Sequence, residues 1–326
     1  MLPFSFLLVR KKKWQHLTLE GALWRKRKAQ KHSEYRTAFI IGFLYIPGTI
    51  FVFLFNTRTW PGILAAFQDF IPVKGWFGSE WVGFDNFEVF FRQPDAWRII
   101  RNTLVMAIGK IVAGQVIAIV FALMINEVRN MKLKKTIQTI TYLPHFVSWV
   151  IFATVLKYVI GTNGLIESAL SEAGVHVSIL GTASIFPAVM IITETMKEFG
   201  WSAIIYLAAL TAVDQGLYEA AEMDGASRWK QTIHVTLPGI RNVIVLNAVL
   251  SLGGILNAGF DQIFNMYNTL VMSTGDILDT WVYRQGLISM NYGVGTAVGL
   301  FKSVIAIILT IIAYWAADKF ADYKIF

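Results

Sequence analysis

The stretch "LYEAAEMDGASRWKQTIHVTLPGI", Leu217 to Ile240, is polar and helix-forming, yet it stands between two runs apolar enough for lipid, Ser184–Leu210 and Val243–Phe260. Asp214 is placed to cap a short helix through Leu217, Glu219, Ala220, Ala221 and Glu222, with its acids near the positive end. Gly225 permits the left-handed conformation that closes a helix. Ser227 is placed to cap a second helix in which Trp229, Ile233 and Leu237 stack at i, i+4 and i+8, while Arg228, Lys230 and His234 face elsewhere. Pro238 ends that helix and suits the first turn of the next span. The expected product is a helix, a bend and a helix, too short to be a domain and too structured to be slack. Joined rigidly to two spans, such a peg would transmit movement from a partner into the membrane; an interfacial amphipathic linker is the plainer alternative.

The surrounding chain is built for lipid. Of its 326 residues 55% are hydrophobic and 15% charged, where soluble domains carry about 25% charged residues. A chain this poor in charge cannot cover a soluble core with polar surface, so most of its solvent is lipid. It contains no cysteine, which excludes a disulfide framework and a thiolate metal site. The run Met1–Val9 is apolar and precedes Arg10–Lys13, the reverse of a signal peptide's order.

Six segments reach the roughly 20 residues needed to cross a bilayer core. They lie near Thr37–Phe55, Thr103–Ile125, Ile140–Ile160, Ser184–Leu210, Val243–Phe260 and Val294–Ala316. With the N-terminus inside, the inner loops and tails hold 19 of the 29 Lys and Arg residues, the outer segments six and the spans four. That asymmetry predicts an N-in, C-in topology and explains the net charge of +8 without nucleic acid. The fold class expected is therefore all-α, a polytopic membrane protein of six transmembrane helices carrying an inner helix–bend–helix at 214–238. A basic tail, residues 1–36, precedes a six-span domain, residues 37–326. The tail mixes Trp14, Leu17, Leu19, Leu23 and Trp24 with basic residues; it reads either as a helix lying on an anionic leaflet or as a solvated positive-inside tail.

"EAAEMDGASRWKQTIHVTLP" resembles the EAA signature of bacterial ABC importer permeases: EAA, three residues, Gly, nine residues, a branched apolar residue, any residue, then Leu-Pro. The matching residues here are Glu219, Ala220, Ala221, Gly225, Val235, Leu237 and Pro238. Val235 stands where isoleucine is frequent. "SEWVGFDNF", "RNTL", "LPHFVSWVI", "GWSAIIYLAALTAV" and "GTAVGLFKSV" extend the resemblance over nearly all of the chain after residue 37, toward the LplB-like branch of carbohydrate permeases. The resemblance implies one of two membrane subunits of a type I importer in a bacterial inner membrane. Its implied partners are a second permease, a pair of ATPase subunits holding ATP and Mg, and an extracytoplasmic solute-binding protein. It also implies that Glu219–Pro238, with Trp229, couples this subunit to an ATPase groove. Members of this branch take oligosaccharides and polysaccharide fragments, including uronate polymers such as alginate, and no residue here demonstrates acid specificity.

This chain has no phosphate cradle of its own. "GTAVGLFKS" puts Phe301 where a P-loop needs its second glycine, and it lies inside the sixth span. The subunit is therefore expected to bind no cofactor and to be no enzyme. A saccharide in transit needs donors and acceptors sheltered from lipid. The fifth span offers Asn247, Asn257, Asp261 and Gln262 beside Gly253, Gly254 and Gly259. The plainer account makes the asparagines helix–helix glue, and Asp261 and Gln262 outer-interface residues.

In the fourth span Glu194, Lys197 and Glu198 share one helical face at i, i+3 and i+4. They read as an intrahelical ion pair, or as groups that gate the path or touch substrate. Trp201 and Trp81 are candidates to stack on sugar faces, or interfacial anchors. Lys110, Lys157 and Lys302 lie close enough to the outer boundary to snorkel. His145, beside Pro144, reads as a packing histidine or a path-lining one, and Gly295 with Gly299 as a helix-packing pair within the subunit or against the partner permease. Two rival classes are an ion-coupled secondary transporter, for which the chain lacks a visible repeat, and a membrane-embedded hydrolase, for which Ser148 near His145 is the one faint pairing.

Overall fold

The computed structural model describes residue 39 and residues 41–43, 45–57 and 60–321; the tail expected at 1–36 lies outside the described residues. The chain divides into two units, one ending at Pro61 and one beginning at Gly62. In the first, residues 45–57 are helical and nearly all exposed, with Phe51 against Phe55 at 4.3 Å between ring centroids. An apolar outer face of this kind is what lipid solvates.

The second unit opens with a two-residue antiparallel ladder, β1 (Gln68–Asp69) with β2 (Glu80–Trp81), in which Gln68 faces Trp81. A short helix α1 (Asp85–Phe91) follows. Asn86 joins the pieces by donating to the carbonyls of Ala66 and Gln68 at 3.0 and 2.9 Å.

Helix α2 (Ala96–Asn126) is 31 residues long, about 46 Å at the helical rise and more than a bilayer core requires. It begins seven residues before the expected Thr103. Helix α3 (Met131–Tyr142) is started by Asn130, whose side chain accepts from the Lys132 and Leu133 amides. The expected third span, Ile140–Ile160, is not one helix. Pro144 has no amide to donate, so the chain tightens into a 3₁₀ turn at Leu143–Phe146. Ser148 then caps a new helix α4 (Trp149–Ile160), accepting from the Ile151 amide. Helix α5 (Leu165–Glu172) follows.

Helix α6 (Phe186–Thr211) matches the fourth expected span closely and packs along α2 more extensively than any other helix pair. Ala118, Ala122 and Ala203 are fully buried in that seam, as expected where small side chains let helices approach. Helix α7 (Gln215–Met223) and helix α8 (Arg228–Gln231) form the helix–bend–helix. Helix α9 (Arg241–Leu252) then corrects the fifth expected span, Val243–Phe260: it stops at Leu252, and Gly253 to Gly259 run without regular helix until α10 (Phe260–Met266). Gly259 takes φ +86°, a conformation that favours glycine. Helix α11 (Leu278–Val282) and the long α12 (Tyr292–Ala321) complete the unit.

Among the described residues four helical segments are long and apolar enough to cross a membrane: Ile41–Phe67, Ala96–Asn126, Trp149–Glu172 and Tyr292–Trp315. The two expected spans missing from that set have visible causes. Helix α6 carries Glu194, Lys197 and Glu198, and α9 is short and set at 57° to the Arg228–Gly239 helix before it.

Beside a small apolar core at Val249 and Ala313, two large ones lie along the bundle. One gathers Phe90, Ile99, Met106, Met190, Ile263 and Trp281; the other gathers Ala118, Ala122, Ala203, Tyr206, Leu210 and Ile240. Between Met106 and Ala118 on α2, and between Met190 and Ala203 on α6, the facing side chains become polar, and there the functional groups collect.

Candidate functional site

The polar belt encloses a cavity of about 360 Å³. Lys110 and Gln115 come from α2, Glu194 and Glu198 from α6, Asn247 from α9 and Asn257 from the break that follows it. Helices α2 and α6 are rigid and continuous, whereas the third wall is a glycine-flanked interruption. Unwound backbone at this depth is tolerated where it faces protein or a water-filled cavity.

Lys110 is the hub. Its side chain is 8% exposed and its Nζ stands 3.4 Å from Glu194 Oε2. It donates to the Ala258 carbonyl at 2.6 Å and to Gln262 Oε1. The snorkelling expected for Lys110 is therefore corrected, because a main-chain carbonyl freed by the break draws the ammonium inward. Lys302 likewise turns to a partner, Asp279 Oδ1 at 2.6 Å.

Gln262 is fully buried. It gives its amide N–H groups to the Met190 carbonyl and Thr193 Oγ1, both at 2.8 Å, so it sits behind the cavity wall with its bonds taken by the protein. Asp261 is exposed and outside the cavity. Asn247 donates to the Tyr206 hydroxyl at 2.8 Å, and Asn257 is exposed to the cavity. Gly253, at the start of the break, is half-buried against Thr310.

The expected pairing within α6 is half corrected. Glu194 turns to Lys110 on another helix, while Lys197 bonds its sequence neighbour Glu198 at 2.8 Å and the His145 carbonyl at 3.0 Å. Glu198 Oε2 meets His145 Nδ1 at 2.6 Å. The His145 ring stacks on Trp201 at 4.3 Å between centroids and 1° between planes, so one face of Trp201 is already covered. His145 thus serves Glu198, and Ser148 serves the start of α4; the two do not form a nucleophile–base pair. Gly295 packs on Gly286 within the subunit, whereas Gly299 has no neighbour around its missing Cβ.

Sequence pattern alone does not single out Asp276, which is 3% exposed. Its two oxygens take the Arg284 guanidinium at 2.9 and 2.6 Å, and Oδ1 also accepts from Thr280. Burial pulls the Arg284 guanidinium down, and the bonds to Asp276 more than restore it, for a net rise. Asn102 on α2 donates to the carbonyls of Ser273 and Asp276, fastening this segment to the bundle. A run of ordinary loop residues announces none of these contacts.

The helix–bend–helix has the expected joints. Asp214 accepts from the Gly216 amide at 2.9 Å, Gly225 sits at φ +70°, and Ser227 accepts from the Lys230 amide. The second helix differs from expectation. Pro238 offers no amide to His234, and the Leu237 amide reaches back to the Thr232 carbonyl, so Thr232–Thr236 form a π turn. Trp229, Ile233 and Leu237 still share an apolar groove with α2 despite the altered phase.

Tyr218 and Thr236 join the two arms through hydroxyls 3.0 Å apart, and Arg228 binds Glu127 at the end of α2 at 2.6 Å. Val235 and Leu237 pack toward Val213 and Ile240. Glu219, Ala220 and Gly225 are exposed, as is Pro238, while Ala221 is half-buried. Met223 is 90% and Trp229 72% exposed. One side of the motif is thus anchored and the other uncovered within this chain.

A helical bundle with apolar outer faces, a polar cavity beside a broken helix and an anchored peg has the architecture of a membrane transport subunit. The chain belongs to the family described as the binding-protein-dependent transport system inner membrane component, whose model matches residues 114–322. It is 42% identical to Protein LplB of Bacillus subtilis over 87% of this chain and 90% of that one. It is 40% identical to the polygalacturonan/rhamnogalacturonan transport system permease protein YteP of the same organism, over 87% and 89% of the two chains. Among solved structures, a chain of a bacterial alginate ABC transporter, in complex with alginate pentasaccharide-bound periplasmic protein, superposes with a TM-score of 0.80. It is 32% identical and covers 90% of this chain and 99% of that one.

Proposed function

We propose that this chain is one of two permease subunits of an ATP-driven, binding-protein-dependent importer of oligosaccharides, with six spans and both termini inside. The interrupted α9–α10 run counts as the fifth span and α6, with its charges turned into the bundle, as the fourth. ATP and Mg bind on a pair of partner ATPase subunits, and an extracytoplasmic binding protein delivers the sugar. The bacterial inner membrane is the location this assembly requires.

One observation carries the reading: the Glu219–Pro238 motif is anchored through Val235 and Leu237 while Glu219, Ala220 and Met223 stand uncovered beside the bend at Gly225. A partner that grips this face moves α6 and α9 together, and both line the polar cavity. Asn247, Asn257, Glu194 and Glu198 offer hydroxyl-matching acceptors and donors along that path. Asp261 and Gln262 are left as positions flanking it, and Trp201 offers at most one free face. The relatives' names support a carbohydrate substrate, with acidic polysaccharide fragments prominent among them.

Purification in mild detergent tests the reading. The chain is expected to bring ATPase subunits with it, and Glu219→Arg should release them while leaving the chain inserted. Recovery of the chain without any ATPase, or undiminished association after Glu219→Arg, would refute it.

A further inference from the structure

The Lys110 ammonium is surrounded by oxygen partners from distant parts of the chain. A main-chain carbonyl at a helix break, Ala258, accepts at 2.6 Å; an amide oxygen, Gln262 Oε1, accepts as well; a carboxylate, Glu194 Oε2, lies at 3.4 Å. These are three oxygens of three chemical types, brought from residues 84 to 152 positions away. Unwound carbonyls joined by side-chain oxygens are how broken membrane helices hold small monovalent cations. The chain is also drawn tightly around the nitrogen, since a Cβ on Gly259 would come within 2.7 Å of Nζ. Gln262 is fixed in turn by Met190 and Thr193, so its oxygen is held toward Lys110.

We propose that Lys110 is a tethered cation occupying a monovalent-cation site at the break of the fifth span. Its ammonium satisfies the Ala258 carbonyl and neutralises Glu194, tasks that a dissolved sodium ion would perform in an ion-coupled carrier. Because the charge is covalently held, it cannot be exchanged between the two sides of the membrane, and an ion gradient does no work here. Lys110 is on this account a positioning residue for the cavity wall. The inference rests on the proposed transport function only for its activity readout.

The chain is purified in mild detergent with the subunits that accompany it, in choline, sodium, methylammonium or ethylammonium chloride at about 100 mM. Melting is followed by tryptophan fluorescence, and ATP hydrolysis is followed with the binding protein present. The wild type is expected to be indifferent to the cation. Lys110→Ala is expected to melt several degrees lower in choline and to lose hydrolysis more than about tenfold. Sodium or an alkylammonium that fills the vacated space should restore both, because a ligand bound to the folded state alone stabilises it by mass action. Lys110→Met, whose apolar chain occupies the space, should accumulate but stay inactive in every cation.

A Lys110→Ala protein that matches the wild type in choline, or that no cation improves, would overturn the proposal. Should Lys110→Ala fail to accumulate, a Lys110→Met protein with full hydrolysis would overturn it just as well. Absence of ATPase subunits from the wild-type preparation would instead count against the transport reading and leave the melting comparison standing.

Discussion

Glu198→Gln and Lys197→Met remove opposite ends of one ion pair, and their costs should be unequal. The Lys197 side chain is 5% exposed and that of Glu198 27%, with 2.8 Å between them. After Glu198→Gln the ammonium stays buried with the His145 carbonyl at 3.0 Å and the Trp149 ring at 5.3 Å, but with no carboxylate bonded to it, Glu194 acting only through space. Stranding a buried charge costs about 3–5 kcal/mol. Access of water through the cavity beside Glu198 reduces this to about 2–3 kcal/mol. After Lys197→Met the carboxylate keeps His145 at 2.6 Å and its opening to the cavity, so the loss is about 1 kcal/mol. The double variant should be no worse than Glu198→Gln alone, and better if the introduced methionine packs well. Thermal unfolding in detergent reads the order, since about 1 kcal/mol moves the midpoint by roughly 2–4 °C in a protein of this size or somewhat smaller. A Lys197→Met protein less stable than Glu198→Gln, or strictly additive losses in the double variant, would refute the reasoning.

Substitutions at two further sites probe the ends of the bundle. Gly225→Ala meets no atom within 4 Å but must hold φ +70°, at about 1–2 kcal/mol; Gly225→Pro fixes φ at the wrong sign. Both should leave the chain inserted while lowering ATP-driven uptake, Pro more than Ala, and normal uptake by the Pro variant would argue against a coupling bend. Asp276→Asn strips Arg284 of its paired carboxylate oxygens and should lower stability by about 2–4 kcal/mol, read as a fall in melting temperature that Asp276→Asn with Arg284→Met partly reverses.

The joints of the peg were legible because capping is local chemistry. Asp214, Gly225 and Ser227 each act on a backbone group within three residues, and the structure uses them as the spacing predicts. The π turn at Thr232–Thr236 follows from Pro238, which was visible, but the choice between ending a helix and widening it depends on the packing of Val235 and Leu237. Pro144 was likewise visible inside the third apolar run, yet a break there needed Ser148 to restart the helix. The fifth span was hardest to read, since Gly253, Gly254 and Gly259 are compatible with a kinked helix as well as with an interruption. Lys110 settles that choice from 148 residues away by taking the Ala258 carbonyl. Its partners Glu194 and Gln262 carry no sequence mark of the contact, and an i, i+3 lysine on the same helix offered Glu194 a partner closer at hand.

In the proposed mechanism the same connectivity explains how a motion at the peg reaches the cavity. Helix α6 runs without interruption from Phe186, past Glu194 and Glu198, to Thr211, and Asp214 caps α7 three residues later. From Glu194 to Thr211 is about 26 Å of continuous helix, whose deep packing against α2 resists bending. On the far side of the peg, α9 starts at Arg241, immediately after Ile240, which is buried with Leu210 and Val213. A tilt imposed on Glu219 and Met223 therefore moves two lever arms whose other ends are Glu194 on one and Asn247 and the Gly253 break on the other. The levers differ in one respect: α6 is rigid throughout, whereas α9 ends at an unwound segment held by Lys110. Relative motion should accordingly concentrate at the break, where turn bonds replace the regular helical ladder between Leu252 and Phe260.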